Sequence, residues 1–413
     1  MPIANQFVKS TLLMPFMLFA GCASHPSAAI IPMTASPVTI PVQAAVRMDI
    51  TRLDGRRLTP DTVERIVKSA MTQAHVPALA IAIISHGEIA YVGGFGYRDV
   101  ERHLPLTDTT VMYAASFTKA MFAHLVLQLV DEGTLSLDTP IARYLPKPLP
   151  EYPKYADLAA DPRWQRFTPR MLLSHTSGLP NWRFINPDGK LDIKFEPGAQ
   201  YSYSGEGINL LQFVIEAHTG HDVGQMMQTR VFDRFGMTRT HMTWSPSFES
   251  EYALGYDTAG KPVGHERRTS ARAAGSADTD IRGMARFLRA VLHKEGLSAN
   301  AYHAMLSPQI RIRSVHEFPA PSFETTHRDD HIELSYGLGW GLFRSRYGPA
   351  FFKEGHDDDS WQNFMIGFGD SQTGVVFLSS SAHAESMYPS LLAALLGDTD
   401  IPAEWMGYGK PQA

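Results

Sequence analysis

The 413-residue sequence contains a single cysteine, Cys22, so the chain cannot form an internal disulfide. It has no long basic block and a formal net charge of −5, which excludes the electrostatic pattern of a nucleic-acid-binding protein. The G-x-S-x-G motif is also missing, which argues against an α/β-hydrolase. Apolar residues make up 44% of the chain and charged residues 19%, a composition that can fill a sizeable core.

The N-terminus has the pattern of an export signal. Lys9 precedes the uncharged stretch 10–21, which is rich in Leu, Met and Phe and too short to span a bilayer. The stretch ends in Phe19-Ala20-Gly21 immediately before Cys22, which resembles a bacterial lipobox, in which the cysteine is lipidated. We therefore expect a lipid anchor on Cys22 and a protein tethered to a membrane, facing the periplasm. The alternative is an ordinary signal peptide and a soluble periplasmic or secreted protein.

This interpretation divides the chain into three parts. Residues 1–21 are predicted to be the signal peptide, and residues 22–48, in which Pro, Ala, Ser and Thr dominate, a lipidated N-terminus and flexible tether. Residues 49–413 are predicted to form the folded domain. No other apolar run in the sequence approaches the length needed to span a membrane.

Apolar periodicity within the domain predicts an α+β fold, an α/β/α sandwich. Thr59-Pro60-Asp61 has an N-cap residue followed by proline, which starts a helix that runs to about residue 74. The remaining predicted elements are a hairpin of strands 78–84 and 88–94, a helix over 116–132, late strands at 336–343, 351–354, 362–367 and 374–379, and a last helix over 384–396. This order predicts an antiparallel sheet flanked by helices, with a mostly helical lobe formed by the middle third of the chain. A ligand site is expected in the cleft between sheet and lobe.

Ser116 and Lys119 are the candidate nucleophile and base. Residues three apart share one face of a helix, so the lysine would lie beside the serine hydroxyl. Ser116 at the start of the helix would also leave its backbone N–H free to face an oxyanion. About one S-x-x-K is expected by chance in a chain of this length, so the tetrapeptide alone is weak evidence. It occurs once in this sequence.

Four segments in the same order strengthen the prediction. Tyr113-Ala114-Ala115-Ser116-Phe117-Thr118-Lys119 resembles the first motif of the serine β-lactamase and penicillin-binding family, in particular its class C-like branch. The segments 130–140 (VDEGTLSLDTP), 172–179 (LLSHTSGL) and 274–281 (AGSADTDI) resemble later parts of the same family. The resemblance covers about residues 60–395. It favours a structural role for His175, which belongs to the H-T-S-G-L stretch, over membership of a Ser-His-Asp triad.

The resemblance also implies a catalytic tyrosine. In the family a Y-x-N tyrosine follows a Pro-Gly turn and assists proton transfer, and here Pro197-Gly198 precedes Tyr203-Ser204-Gly205. Tyr203 matches that tyrosine, with Tyr201 as the alternative on spacing. To accept a proton near neutral pH, Tyr203 would need a lowered pKa, which we expect from Lys119 and a second lysine. Gly205, a candidate substrate-binding position, stands where the family has an asparagine that contacts the lysine and the acyl-amide group of the substrate.

A third motif, K-T-G or H-x-G, lines the cleft in the family. We align Lys353-Glu354-Gly355 with K-T-G, which leaves Glu354 in place of threonine. The alignment implies that Lys353 contacts a substrate carboxylate and that Gly355 lets the substrate approach the strand. The backbone N–H groups of His356 and Ser116 would then form the oxyanion hole. In the alternative register, His356 is itself the histidine of H-x-G.

The resemblance therefore implies a serine hydrolase that acts through an acyl-enzyme on a small-molecule or peptidoglycan-like ester or amide, without a metal or cofactor. The departures at Gly205 and Glu354 favour esters or unusual amides over β-lactams. A β-lactamase or D-alanyl-D-alanine carboxypeptidase proper is one alternative. A non-catalytic lipoprotein that binds penicillin or peptidoglycan is another. The His/Asp-rich segments 327–331 and 356–359 lack the spacing of known zinc or calcium sites.

Overall fold

The computed structural model describes residues 40–357 and 360–408. The predicted signal peptide, Cys22 and most of the predicted tether lie outside these residues and stay predictions.

The centre of the fold is a ten-stranded sheet in which neighbouring strands run antiparallel. Its main path has the order β1-β5-β4-β16-β15-β14-β13-β12-β11, and β6 pairs with β5. Three two-stranded sheets pair β7 with β10, β2 with β3, and β8 with β9. The strands are β1 (Val42–Arg47), β2 (Ile50–Thr51), β3 (Arg57–Leu58), β4 (Ala78–Ser85), β5 (Glu88–Asp99), β6 (Leu104–Pro105), β7 (Met112–Tyr113), β8 (Gly255–Tyr256), β9 (Pro262–Gly264), β10 (Asp278–Thr279), β11 (Ile310–Arg311), β12 (Ser335–Tyr336), β13 (Gly341–Ser345), β14 (Gly348–His356), β15 (Gln362–Phe368) and β16 (Thr373–Ser379).

Helices cover both faces of this sheet and fill the middle of the chain. They are α1 (Pro60–Gln73), α2 (Phe117–Asp131), α3 (Pro169–Leu173), α4 (Gly205–Thr219), α5 (Val223–Met227), α6 (Ile281–Leu292), α7 (Ala299–Met305), α8 (Tyr388–Leu395) and α9 (Ala403–Met406). Short 3₁₀ turns occupy much of 141–166, and a π-helical turn follows α5 at Gln228–Phe232. Within the described ranges, no helix combines the length and apolarity needed to cross a bilayer.

Two hydrophobic cores lie on opposite faces of the sheet because side chains alternate along each strand. On one face, Ile81 and Ile83 of β4 pack with α1 and α8. On the other face, Ala80 and Ala82 pack with α2 and α6, which also connect to the helical lobe. These small alanines let α6 lie close to the sheet, while α2 lies against β14. The predicted α/β/α arrangement with a helical lobe is confirmed.

Two boundaries differ from the prediction. Residues 42–47, assigned to the tether, form β1 and pair with β5, so the folded domain begins before residue 49. This edge strand is only half-buried, and its sequence carries little hydrophobic signal. The predicted strand 336–343 is two strands, because residues 337–340 turn the chain so that β12 pairs with β13. The apolar run continues through that turn since Leu338 and Trp340 are themselves buried.

Candidate active site

Ser116 occupies the N-cap position of α2, but its side chain does not cap the helix. The preceding residue, Ala115, has a φ of 47°, a left-handed conformation that is rare for a residue with a side chain. The turn is held by β7, which pairs with β10, and by the N–H of Ala114, which donates to the carbonyl of Ala277 at 2.9 Å. The serine hydroxyl is therefore presented at a fixed, strained turn and is available to other groups.

Lys119 lies beside Ser116 one helical turn later. Its Nζ is 2.9 Å from the serine Oγ and also donates to the carbonyl of Ala274. The side chain is fully buried, and this burial together with the charge of Lys353 lowers the pKa of Lys119 well below its ordinary value. A neutral amine can donate one N–H to Ala274 while its lone pair faces the serine hydroxyl. The geometry therefore suits a general base.

The carbonyl of Ala274, which orients Lys119, belongs to a loop that is hydrogen-bonded to α4. Asn209 Oδ1 accepts from the N–H of Ala274 at 3.1 Å, and Gln212 Oε1 accepts from the N–H of Ala273 at 2.7 Å. Sequence reasoning matched residues 274–281 to the family but assigned no role to these two amides. The role of these two side chains can be recognised only from the structure, in which α4 packs against the loop.

Tyr203 faces the same hydroxyl. It is hydrogen-bonded to Ser116, and Lys353 Nζ donates to its Oη at 3.3 Å. Its ring lies 4.8 Å from Lys119 Nζ. The prediction of a lowered pKa is wrong: burial and the nearby Glu317 raise the pKa of Tyr203 well above its ordinary value, outweighing the hydrogen bond with Ser116. Tyr203 is therefore a neutral phenol that can relay a proton, while Lys119 is the group suited to remove one.

His175 supports the tyrosine segment. Its backbone carbonyl accepts from the N–H of Ser202 at 2.8 Å, and its ring Nδ1 accepts from the N–H of Ser204 at 3.1 Å. The ring packs against Tyr203 with centroids 4.4 Å apart. Tyr201, the alternative on spacing, instead donates to Glu317 Oε1 at 3.2 Å. The structure therefore brings Tyr203 to Ser116 and gives His175 a structural contact beneath it.

The third motif lies on β14, with Lys353 and Gly355 facing α2. Lys353 is 3% exposed and does not line the cavity, so the expected contact between its ammonium and a substrate carboxylate is not available in this arrangement. Gly355 also lies away from the cavity. A Cβ there would come within 2.6 Å of the carbonyl oxygen of Ala114 and 3.2 Å of the N–H nitrogen of Phe117. The glycine therefore permits contact with the nucleophile turn, rather than with the substrate.

A cavity of about 460 Å³ opens over Ser116. Predicted site residues that line it are Ser116, Tyr203 and His356. Two segments without a recognised motif and one family-like segment supply most of the other lining residues, and Tyr113 and Asp357 flank them. These residues are Asn181, Trp182, Phe184 and Ile185; Phe318, Pro319 and Ala320; and, from the family-like segment, Ala274 and Gly275. Among the described residues, neither lysine nor arginine lines the cavity.

Gly205 lies outside the cavity lining because Trp182 covers it. A Cβ on Gly205 would come within 2.5 Å of Trp182 Cη2 and 3.0 Å of the carbonyl oxygen of Asn181. The indole thus fills the space into which a side chain at position 205 would extend. Sequence reasoning identified the missing asparagine, but the residue that fills the space lies in another loop and could not be identified from spacing.

Comparisons with known proteins identify the family of this chain. The family model described as Beta-lactamase matches residues 63–397. Curated relatives include Protein flp of Staphylococcus aureus strain N315, 24% identical over 49% of this chain and 43% of the relative. The D-aminopeptidase of Gluconobacter oxydans is 27% identical over 44% of this chain and 35% of the relative. The matches therefore span less than half of these relatives' lengths.

Two solved structures share the fold. The octameric penicillin-binding protein homologue from Pyrococcus abyssi superimposes with a TM-score of 0.67 and 23% identity, covering 84% of this chain and 79% of that one. The D-alanine carboxypeptidase AmpC from Burkholderia cenocepacia gives a TM-score of 0.65 and 20% identity, covering 82% of this chain and 98% of that one. With the family model matching most of the sequence, the chain belongs to the β-lactamase family.

Proposed function

We propose that the protein is a serine hydrolase that transfers an acyl group from an ester or amide to Ser116 and then to water. The observation that carries the proposal is the 2.9 Å contact between Ser116 Oγ and Lys119 Nζ at the floor of the cavity. A serine hydroxyl needs an adjacent base to become a nucleophile, and a buried lysine with a lowered pKa can provide one. Membership of the β-lactamase family supports the same chemistry.

Acylation begins when neutral Lys119 removes the proton of Ser116 and Oγ attacks the carbonyl carbon. The backbone N–H groups of Ser116 and His356 hold the oxyanion. No described residue accepts a hydrogen bond from the N–H of Ser116, and His356 lines the cavity at the end of β14. The positive end of α2 adds to this stabilisation.

Tyr203 carries the proton to the leaving group. Its phenol, hydrogen-bonded to Ser116 and Lys353, donates its proton to the departing oxygen or nitrogen. The phenolate left behind then takes up the proton that the Lys119 ammonium carries, so that both groups are neutral again. Water attacks the acyl-enzyme with the same groups acting in reverse, which releases the acid and restores neutral Lys119.

Esters or amides without a carboxylate near the scissile bond fit this site better than β-lactams or D-alanyl-D-alanine peptides. Lys353 is buried behind Tyr203, and the family's amide at position 205 is replaced by the indole of Trp182. The D-aminopeptidase and D-alanine carboxypeptidase relatives keep amide hydrolysis among the reactions to test.

The test compares hydrolysis of short p-nitrophenyl esters with that of a chromogenic cephalosporin, together with labelling by an active-site phosphonate. We expect phosphonate on Ser116, faster ester than cephalosporin turnover, and loss of both labelling and turnover in Ser116→Ala. Faster cephalosporin turnover would favour a β-lactamase proper. Hydrolysis that survives Ser116→Ala contradicts the proposal. If the wild-type protein binds penicillin but hydrolyses none of these substrates, the non-catalytic binding function is favoured instead.

We also propose that the protein is exported and anchored through a lipid on Cys22. The support is the sequence pattern of residues 9–22 and the position of the only cysteine directly after two small residues. The substrate would then be met outside the cytoplasm.

A further inference from the structure

The wall of the cavity beside Ser116 is aromatic where position 205 would otherwise contribute a side chain. Trp182 lies against the Cα of Gly205, and its ring also lies 5.8 Å from Lys119 Nζ. Its position is therefore adjacent to the reacting groups. A substrate bound at Ser116 would meet the indole rather than a polar amide.

Asn181 presents a hydrogen-bond donor next to this indole. Its Oδ1 accepts from the N–H of Gly205 at 3.0 Å, and its backbone carbonyl accepts from the N–H of Glu206 at 3.0 Å. Because Oδ1 must face an N–H, the orientation of the amide is fixed and Nδ2 is directed away from α4. Asn181 lines the cavity, and its Nδ2 has no acceptor among the described residues. A ligand acceptor would complete the hydrogen bonding.

Apolar side chains continue the wall outward. Trp182 stacks on Phe184 with ring centroids 6.2 Å apart and planes at 11°. Phe184 is 74% exposed and Ile185 is 50% exposed, although both line the cavity. Phe318 faces them from another segment and packs edge-on against Tyr203 at 5.1 Å. Clustered exposed apolar groups beside a nucleophile are typical of a binding surface.

Charge around the cavity favours a neutral occupant. The two buried lysines of the site, Lys119 and Lys353, are 0% and 3% exposed, and Lys353 does not line the cavity. The lining contains the carboxylate of Asp357, whose Oδ1 accepts from the N–H groups of Ser360 and Trp361. Because no lysine or arginine is among the described lining residues, an anionic acyl group would lose its hydration without a cationic side chain beside it in the cavity.

We propose that Asn181–Ile185 form a subsite for an uncharged, apolar acyl group, an alkyl chain or aryl ring, with Asn181 Nδ2 donating to an acceptor near the scissile carbonyl. The proposal rests on the proposed function for the placement of the acyl group. Trp182, Phe184 and Ile185 contact the apolar part, and Phe318 closes the opposite side. Acyl length and charge, rather than the leaving group, would then determine specificity.

The first experiment measures kcat/KM for p-nitrophenyl acetate, octanoate and monosuccinate. We expect octanoate to exceed acetate and monosuccinate to be the poorest. Phe184→Ala should reduce the octanoate-to-acetate ratio on the order of 10-fold, since removal of a contacting apolar side chain weakens binding of the longer chain. Phe323→Ala is the matched control, because Phe323 is 59% exposed but does not line the cavity. An unchanged ratio in Phe184→Ala, or a preference for monosuccinate, overturns the proposal.

Asn181→Asp tests the hydrogen bond, because aspartate keeps an acceptor for the N–H of Gly205 and removes the Nδ2 donor. We expect KM for p-nitrophenyl hippurate, which carries a second carbonyl, to rise on the order of 10-fold, with little change for octanoate. Equal changes for both esters contradict the donor role.

Binding can be tested without turnover by titrating octanamide into the Ser116→Ala variant. The subsite is supported if adding Phe184→Ala to the Ser116→Ala variant weakens octanamide binding while adding Phe323→Ala does not. This result would hold even if no ester is hydrolysed. This binding assay therefore distinguishes a failure of the proposed hydrolysis from a failure of the proposed subsite. Absence of octanamide binding, or binding unaffected by the loss of Phe184, contradicts the subsite.

Discussion

At the residue scale, burial decides which groups can exchange a proton. Desolvation disfavours the charged form of either type of group, so it lowers the pKa of Lys119 and raises that of Tyr203. The pair is therefore a neutral amine that can accept a proton beside a neutral phenol that keeps its own. If both side chains were ionised, the ammonium would be the proton donor and the phenolate the proton acceptor. Both pKa shifts follow from the exclusion of water, and sequence patterns indicate poorly whether an isolated polar residue is buried.

Lys353 should set the pH range of activity through Lys119. Its cation lowers the pKa of Lys119, so activity should rise with pH as Lys119 loses its proton. Lys353→Met removes that charge, so we expect the pKa of Lys119 to increase and the rising limb of kcat/KM to move to higher pH. Lys294→Met, at an exposed lysine, is the control and should leave the limb in place. If the rising limb of the Lys353→Met profile stays at the same pH or moves to lower pH, the two lysines are not electrostatically coupled.

Glu317 should make stability fall on the alkaline side. Burial and the neighbouring Glu354 raise the pKa of Glu317 well above its ordinary value, so the carboxyl keeps its proton in the folded protein. This stabilisation is fully present below the pKa of the unfolded carboxyl and is lost as pH rises through the raised folded value. Glu317→Gln can still accept from Tyr201 and cannot ionise. We expect its free energy of unfolding to change less than that of wild type between about pH 5 and about pH 9 in denaturant titrations. An identical pH dependence in both proteins argues against a protonated Glu317.

At the scale of elements, the start of α2 and the strand β14 form one unit. The two are in contact at Gly355, which lies against Ala114 and Phe117, while His356 follows at the cavity. Their separation therefore fixes the distance between the two N–H groups assigned to the oxyanion hole. A small displacement would weaken both donors together.

Gly355→Ala tests this contact, because the added Cβ would meet backbone atoms that cannot move independently. We expect kcat/KM to fall on the order of 10-fold or more, with a loss of stability of ~1–3 kcal/mol from overpacking. Gly369→Ala is the matched control, since no atom lies within 4 Å of a Cβ there. Ester kinetics and thermal unfolding of both variants provide the measurement, and equal effects of the two substitutions would count against the proposed contact.

The elements with strong periodic patterns were predictable, and the connections that shape the cavity were not. The apolar run 78–84 and the helix after Thr59 appear where predicted because their local patterns agree with their burial. The half-buried β1 and the turn inside 336–343 lacked such patterns. In the candidate site, ordered motifs located Ser116, Lys119 and Tyr203. Trp182 could not be located because its contact with Gly205 joins a loop to the start of α4 and depends on tertiary packing.

At the scale of the whole molecule, the described domain extends from β1 to α9, and the proposed lipid anchor on Cys22 would determine where it acts. We expect Cys22→Ser to abolish labelling with radioactive palmitate and to move the protein from the membrane fraction to the soluble periplasmic fraction, because one cysteine is available for lipidation. Ser24→Ala, which keeps Cys22, is the control. Detergent-phase partitioning that survives Cys22→Ser contradicts the anchor, and an already soluble wild-type protein would favour an ordinary signal peptide.

The sheet places an early strand of the described chain beside its last strand. Strand β4, near the N-terminus, pairs with β5 on one side and with β16 on the other, where Leu79 lies opposite Ser379. Such long-range pairing is slow to form, since the chain must close a very large loop before the contact stabilises it. A nascent chain therefore carries the Ser116 segment long before the sheet beneath α2 is complete. The proposed hydrolytic activity would consequently be one of the last properties the polypeptide acquires, and we expect a chain that lacks β16 to be synthesised without being able to react.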